Sequence, residues 1–181
     1  MKKREGQITV VVSMYFLIFL IVIIGVMLQL HIYRSVGSFT EDALAASSLA
    51  SAVIDIQEYG TTKNIIIAEP DQAYSCFQRV LKTNMELDEQ WNSANTQAIS
   101  GPVEVINYIV YNVREDDVEI YYFGQSTYSQ TVTGGLGTVT APNGKTIEST
   151  SIYSSITFPV NGIFGIQTIA KKEVLVDIVS N

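Results

Sequence analysis

The sequence predicts an α+β protein in which a long N-terminal helix packs on a small head domain built around an antiparallel β-sheet. The chain opens with a long uncharged apolar segment, Ile8 to Leu30. A helical spacing of apolar residues continues beyond this segment without an intervening linker. The β-rich runs come later as a block after the helices, which is typical of α+β folds with antiparallel sheets.

The apolar segment, the helical spacing and the β-rich runs divide the 181 residues into four segments. Residues 1–6 form a basic leader and residues 7–31 a transmembrane helix. Residues 32–60 form an extracytoplasmic stalk helix, and residues 61–181 form the α+β head domain. The chain beyond the membrane segment is long enough for one hydrophobic core of its own.

The apolar segment from Ile8 to Leu30 has the length of a membrane-spanning helix, with Val11 and Gly25 inside it. At about 1.5 Å per residue it spans roughly 35 Å, against a hydrocarbon core of about 30 Å. A helix also satisfies its own backbone hydrogen bonds inside the bilayer. A secretory signal peptide has a shorter apolar region and a small-residue cleavage site. Membrane lipid is therefore an expected partner, and hydropathy alone favours an ordinary single-pass anchor.

The distribution of charge predicts the orientation of this helix. Lys2, Lys3 and Arg4 precede it, whereas the part beyond the membrane segment is strongly acidic. Basic residues accumulate on the cytoplasmic side of membrane helices. We therefore expect a single-pass protein of the cell membrane with a cytoplasmic N-terminus and an extracytoplasmic head. The acidic excess also disfavours a nucleic acid partner, because phosphate binding requires a basic surface.

The stalk is predicted from apolar residues at alternating steps of four and three. This stripe consists of Val36, Phe39, Ala43, Ala46, Ala50 and Val53. It predicts a helix that continues to about Glu58 and ends before Gly60, which can adopt the left-handed conformation. The many Ala and Ser residues between 43 and 52 would let another backbone approach closely. The stripe can pack on the chain's own head, on a neighbouring subunit, or on both.

The head begins with a predicted helix from Asp71 to about Met85, introduced by Pro70. Cys76 falls beside its apolar face and is expected to be a buried small hydrophobic residue. The face itself consists of Ala73, Phe77, Val80 and Leu81.

Strands follow this helix. The run "VEVINYIVYNVREDDVEIYYFG" predicts a β-hairpin with an acidic turn, and "APNGKT" predicts a tight hairpin turn. The runs "SIYSSITFPV" and "IQTIAKKEVLVDIV", around "NGIFG", predict a second antiparallel pair.

Residue types argue against catalysis. The single histidine is His31 at the membrane exit, and the single cysteine is Cys76. Because the one histidine lies at the membrane exit, Ser-His-Asp and Cys-His catalysis are not expected. Zinc sites that need two histidines are also excluded within one chain. The acidic run Glu115 to Asp117 lacks the spacing of a calcium loop and is expected to be a solvated turn. We expect no enzyme activity, no metal and no cofactor.

A charged head, Gly6, and the switch to "QITVVVS" at the start of a membrane helix that continues into a stalk resemble type IV pilin-like proteins. The resemblance is to TadE-like minor pilins of the Tad (Flp) pilus system, in their divergent Gram-positive form. It implies cleavage by prepilin peptidase between Gly6 and Gln7, contact with other pilin-like subunits through the N-terminal helix, and an assembly platform. Val11 stands where such pilins usually carry Glu. Two weaker patches of resemblance are "EPDQAYSCFQRVLKTNMEL" and "SITFPVNGIFGIQTIAKKEVLVDIV".

The resemblance predicts a structural role. The chain would be a minor pilin or pseudopilin-like subunit of a Tad/type IV-like pilus or of a secretion or adhesion filament, anchored in the membrane before assembly. The alternative is a single-pass, membrane-anchored binding or sensing domain that is not assembled into a filament. An anchored extracytoplasmic enzyme is a third alternative, which the scarcity of histidine disfavours.

Overall fold

A computed structural model of the protein describes residues 2–94, 99–162 and 167–179. It confirms the predicted fold class, because a long N-terminal helix packs on a five-stranded antiparallel sheet. The helices are α1 (Lys2–Ser51), α2 (Ile56–Thr62) and α3 (Pro70–Asn84). The strands are β1 (Glu104–Arg114), β2 (Asp117–Gly124), β3 (Tyr128–Val132), β4 (Ser151–Asn161) and β5 (Gln167–Asp177).

The sheet has the order β3-β2-β1-β4-β5, and every neighbouring pair is antiparallel. Both predicted hairpins are confirmed: β1 pairs with β2 across the acidic turn, and β4 pairs with β5 along their full lengths. The first turn is tight because Glu115 adopts a left-handed φ of 55°. The predicted "IFG" turn between β4 and β5 lies outside the described residues.

One face of the sheet packs against α1 and α3 to form the main core. The ring of Phe77 of α3 packs against that of Tyr108 of β1, with the centroids 4.7 Å apart and the planes tilted by 38°. Burial of each such large apolar side chain contributes about 1.5–3 kcal/mol to folding. The buried face of α3 is the predicted one for Ala73, Phe77 and Leu81, whereas Val80 is only half-buried.

The opposite face of the sheet is partly covered by the segment between β3 and β4. Ala141 and Ile147 of this segment join a second buried cluster with Tyr111 and Tyr153 of the sheet. The predicted tight turn lies here, since the Ala141 N–H donates to the carbonyl of Lys145 at 2.8 Å. The head therefore has three layers, with helices, sheet and a covering segment in that order.

Helix α1 is continuous from Lys2 to Ser51, and no break marks the predicted boundaries between leader, membrane and stalk segments. It ends earlier than predicted, because Glu58 belongs to the separate helix α2. Asp55 is the N-cap of α2, and its carboxylate accepts the N–H groups of Gln57 and Glu58 at 2.9 and 3.0 Å. This local cap starts a new helix at a place where apolar spacing alone predicts continuation.

The predicted stop at Gly60 is also wrong, because Gly60 lies within α2. The left-handed residue is Lys63, with φ 65°, whose N–H donates to the carbonyl of Tyr59. Between α1 and α2 the chain is extended, and Ile54 forms an antiparallel bridge with Ile67. The apolar residues that carry the stripe past Ser51 thus belong to an extended connection and not to the helix.

Candidate functional site

The apolar N-terminal half of α1 is exposed on all sides. Every side chain from Val10 to Ile24 is exposed, including that of Val11, while Gly25 is half-exposed and Leu30 is exposed. Gly6, Gln7 and Ile8 belong to the first turns of the same helix. In length and composition this helix could span a membrane. A water-exposed apolar surface of this size requires a lipid or protein partner.

The predicted stalk stripe divides into two parts. Val36 and Ala43 are buried against the head. The other four residues are exposed and are not covered by the head: Phe39, Ala46, Ala50 and Val53.

The residues that replace them at the head contact are Thr40, Leu44, Ser47 and Ser51, all fully buried. Each follows a residue of the predicted stripe, so the contact face is rotated by one position. One position corresponds to about 100° around a helix of 3.6 residues per turn.

Small polar side chains form part of the contact between α1 and the head, and we call them the serine seam: Ser47, Ser48 and Ser51. Ser47 accepts a hydrogen bond from the side-chain amide of Asn84 of α3 at 3.1 Å, whereas Ser48 and Ser51 face the sheet. The hydroxyls of Ser48 and Ser154 of β4 lie 2.8 Å apart. Ser51 donates to its own helix at the carbonyl of Ser48, and its oxygen lies 2.7 Å from the hydroxyl of Tyr108. Small side chains let α1 approach the sheet closely, and the hydrogen bonds satisfy the polar groups buried in this approach.

A second contact holds α1 to the last strand. Lys172 of β5 forms a 3.0 Å ion pair with Glu41. Gly37 leaves room for the end of the Lys172 side chain, because a Cβ there would lie 3.3 Å from Cε of Lys172. An exposed ion pair of this kind contributes about 0–1 kcal/mol to stability. These contacts join the stalk to three strands of the sheet, β1, β4 and β5.

The exposed side of the stalk forms a second apolar surface, which we call the stalk stripe. Leu49 and Val53 are 58% and 64% exposed, and Phe39 is 49% exposed. The stripe consists of Phe39, Ala46, Leu49 and Ala50 on α1, and the exposed Val53, Ile54 and Ile56 extend it beyond this helix. It lies on α1 beside the contact face that holds the head, so the head does not cover it. An exposed apolar surface of this kind is a candidate interaction site.

The tyrosines in the head are mainly structural. Tyr153 is fully buried, and its hydroxyl donates to a carboxylate oxygen of Glu173 at 2.9 Å. Burial raises the pKa of Tyr153 to about 12, and the hydrogen bond to Glu173 adds to this shift. The pKa of Tyr108 is also raised, chiefly by burial. Both side chains therefore stay neutral and act as packing and hydrogen-bonding groups.

The residues that the sequence singled out for chemistry lie apart from one another. Cys76 was predicted to be buried, and it is half-buried. Its Sγ lies 3.8 Å from the carbonyl oxygen of Ala50 and 3.7 Å from Nη2 of Arg79. In the acidic turn, Asp117 accepts the N–H of Gly134. Within the described part of the chain, no group of three or more His, Cys, Asp or Glu residues could hold a metal ion.

The serine seam and Leu49 are functional candidates that the apolar spacing did not predict. A signal was present, because Thr40, Leu44, Ser47 and Ser51 repeat with the same steps of four and three as the stripe. No protein-family model, curated protein or solved structure matches the chain. The function is therefore inferred from α1 and its exposed surfaces.

Proposed function

We propose that the chain is a structural minor pilin or pseudopilin-like subunit of a Tad/type IV-like filament, stored in the membrane before assembly. One observation carries this proposal. Helix α1 is continuous to Ser51, and its apolar half and its stalk stripe are both exposed while the head is attached along a different face. Such a helix can bind other subunits without disturbing the head.

The mechanism is assembly and not catalysis. In the membrane, lipid covers the apolar half of α1 and keeps it from water. In a filament, equivalent helices from other subunits would cover the same surface after an assembly platform extracts the subunit. Ala46 and Ala50 of the stalk stripe leave little side chain at the contact, which allows helix backbones to approach closely.

Processing at the N-terminus is part of the proposal. Prepilin peptidase would cut between Gly6 and Gln7 and release the basic leader. Val11 supplies no carboxylate at the position where pilins usually carry one. A carboxylate within the bilayer is costly without a partner. We propose a special position for this subunit, such as the filament tip, where pairing with a neighbour's terminal amine is not needed.

The N-terminal mass of the protein from its native membrane tests the processing step. The expected mature chain begins at Gln7, and Gly6→Leu is expected to leave the full-length chain. Gly25→Leu is the matched control, because a Cβ at Gly25 meets nothing within 4 Å. A native chain that begins at Met1 would overturn the cleavage proposal, although an uncleaved pilin-like anchor would still be compatible with it.

A membrane-anchored binding domain is the second candidate, and an aromatic surface on the head favours it. Tyr122 and Tyr128 stack across β2 and β3 with ring centroids 4.1 Å apart, and Tyr128 is 51% exposed. Exposed tyrosines provide a large contact area with a polar end. Mechanical shearing of intact cells separates the two functions. A filament subunit is released with the sheared material, whereas an anchored domain stays entirely in the membrane.

A further inference from the structure

A groove opens between α1 and the segment that follows α3, on the side of the head that faces the apolar half of α1. Its volume is about 470 Å³, which is within the usual range of small-molecule sites. We call it the membrane-side groove. Among the described residues, its lining consists of His31, Ile32, Ser35, Val36, Phe39, Met85, Glu86, Ser93 and Ile99.

The height of the groove along α1 places it at the membrane surface. It begins at His31, the residue after the apolar segment, and reaches Phe39. Because α1 is continuous here, these positions cover roughly 12 Å along the helix axis at about 1.5 Å per residue. The headgroup region adds about 5–7 Å on each side of the hydrocarbon core. The lower part of the groove therefore lies at the level of the outer headgroups.

The lining of the groove is chiefly apolar. Met85 and Ile99 are buried and form its wall on the head side. Ile32 and Phe39 form the other wall and are about half-exposed. Glu86, with a left-handed φ of 53°, places its polar side chain among the lining residues. The apolar walls continue directly from the exposed membrane half of α1, so a lipid chain can enter from the bilayer without crossing water.

The position of the groove favours a lipid chain as its occupant. Its apolar walls adjoin the part of α1 that is long and apolar enough to span a membrane. We propose that the membrane-side groove binds an acyl chain of an outer-leaflet phospholipid. This inference rests on the part of the proposed function in which α1 spans the membrane.

The bound lipid would hold the head against the bilayer. Because the apolar walls stay covered only while lipid occupies the groove, extraction of the subunit from the membrane exposes them again. The groove thereby adds an energetic cost to extraction, separate from that of the transmembrane segment.

Tryptophan quenching by lipids brominated on their acyl chains tests this site in the full-length protein. Trp91 is the only tryptophan, so Trp91→Phe provides a silent background. In this background Phe39→Trp places a fluorophore in the groove. Leu49→Trp is the matched control, because Leu49 is similarly exposed and lies about 15 Å further along α1. Brominated phosphatidylcholine vesicles are expected to quench the Phe39→Trp protein at least twofold more than the Leu49→Trp protein.

Two further variants make the outcomes distinct. Leu20→Trp reports on the membrane half of α1 and is expected to be quenched strongly. Adding Ser35→Phe to the Phe39→Trp protein fills the groove and is expected to reduce quenching to the control level. Equal quenching at positions 39 and 49, or no effect of Ser35→Phe, overturns the lipid site. Absence of quenching in the Leu20→Trp protein instead overturns the membrane-spanning role of α1.

Discussion

Ser48 and Ser51 show how individual small residues determine where α1 meets the head. Both are fully buried, and each is hydrogen-bonded to a residue far away in sequence: Ser154 for Ser48, and Tyr108 for Ser51. A larger side chain at either position would separate the helix from the sheet. The neighbouring Ala46 faces solvent and is free of this constraint.

Ser48→Leu is expected to destabilise the protein by about 2–4 kcal/mol, because it overpacks a closed contact and removes the partner of Ser154. Ala46→Leu makes a similar increase in size on the exposed stripe and is expected to change stability by less than about 0.5 kcal/mol. Urea denaturation of the full-length chain in detergent measures both values. Equal effects of the two substitutions would contradict the assignment of the contact face.

We expect the protein to lose stability at alkaline pH because the buried Tyr153 must then lose its proton. Its pKa is about 12 in the folded protein, against an ordinary value of about 10. The folded state therefore binds the proton more tightly, so the stabilisation is complete below about pH 10 and is lost as the pH rises towards 12. Absorbance titration of tyrosinate should show a step near pH 12 that Tyr153→Phe removes. A Tyr153 step at the ordinary pKa would contradict the buried hydrogen bond to Glu173.

At the scale of elements, the sequence correctly predicted the helices and turns that are marked by residues within the element itself. Pro70 marks the start of α3, and the acidic turn lies between two β-rich runs, so both elements were predicted correctly. The contact face of α1 was not predicted, because Ala and Ser differ little in hydrophobicity and give weak amphipathic contrast. Its choice depends on partners such as Ser154, 106 positions away in the chain, which no local pattern contains.

Helix α2 depends on its N-cap. Asp55→Ala is expected to destabilise this short helix by about 1 kcal/mol, since two backbone N–H groups lose their acceptor. Faster amide hydrogen exchange across Ile56–Thr62, with α3 unchanged, is the expected signature. Asp71→Ala is the control, because Asp71 lies in the first turn of α3 but is not its N-cap. Unchanged exchange in α2 after Asp55→Ala would contradict the cap.

At the scale of the whole molecule, the protein has two separable surfaces on one helix. The serine seam fixes the head to α1, whereas the apolar half and the stalk stripe are available to a partner. Length and hydropathy predicted the long apolar helix and its continuation, but not which side of the stalk stays exposed. The exposed side of the stalk depends on where the head packs on α1, and this packing is a tertiary contact that no local sequence pattern contains.

The most direct test is site-specific photo-cross-linking in native cells, with the cross-linker at Leu49 on the stalk stripe. Tyr128 on the head is the matched control, because the two residues are 58% and 51% exposed. The proposed function predicts that Leu49 cross-links to the N-terminal helix of another subunit, identified by mass spectrometry in sheared surface filaments. Adducts to lipid alone, or identical adducts from Leu49 and Tyr128, would contradict assembly through the stalk stripe.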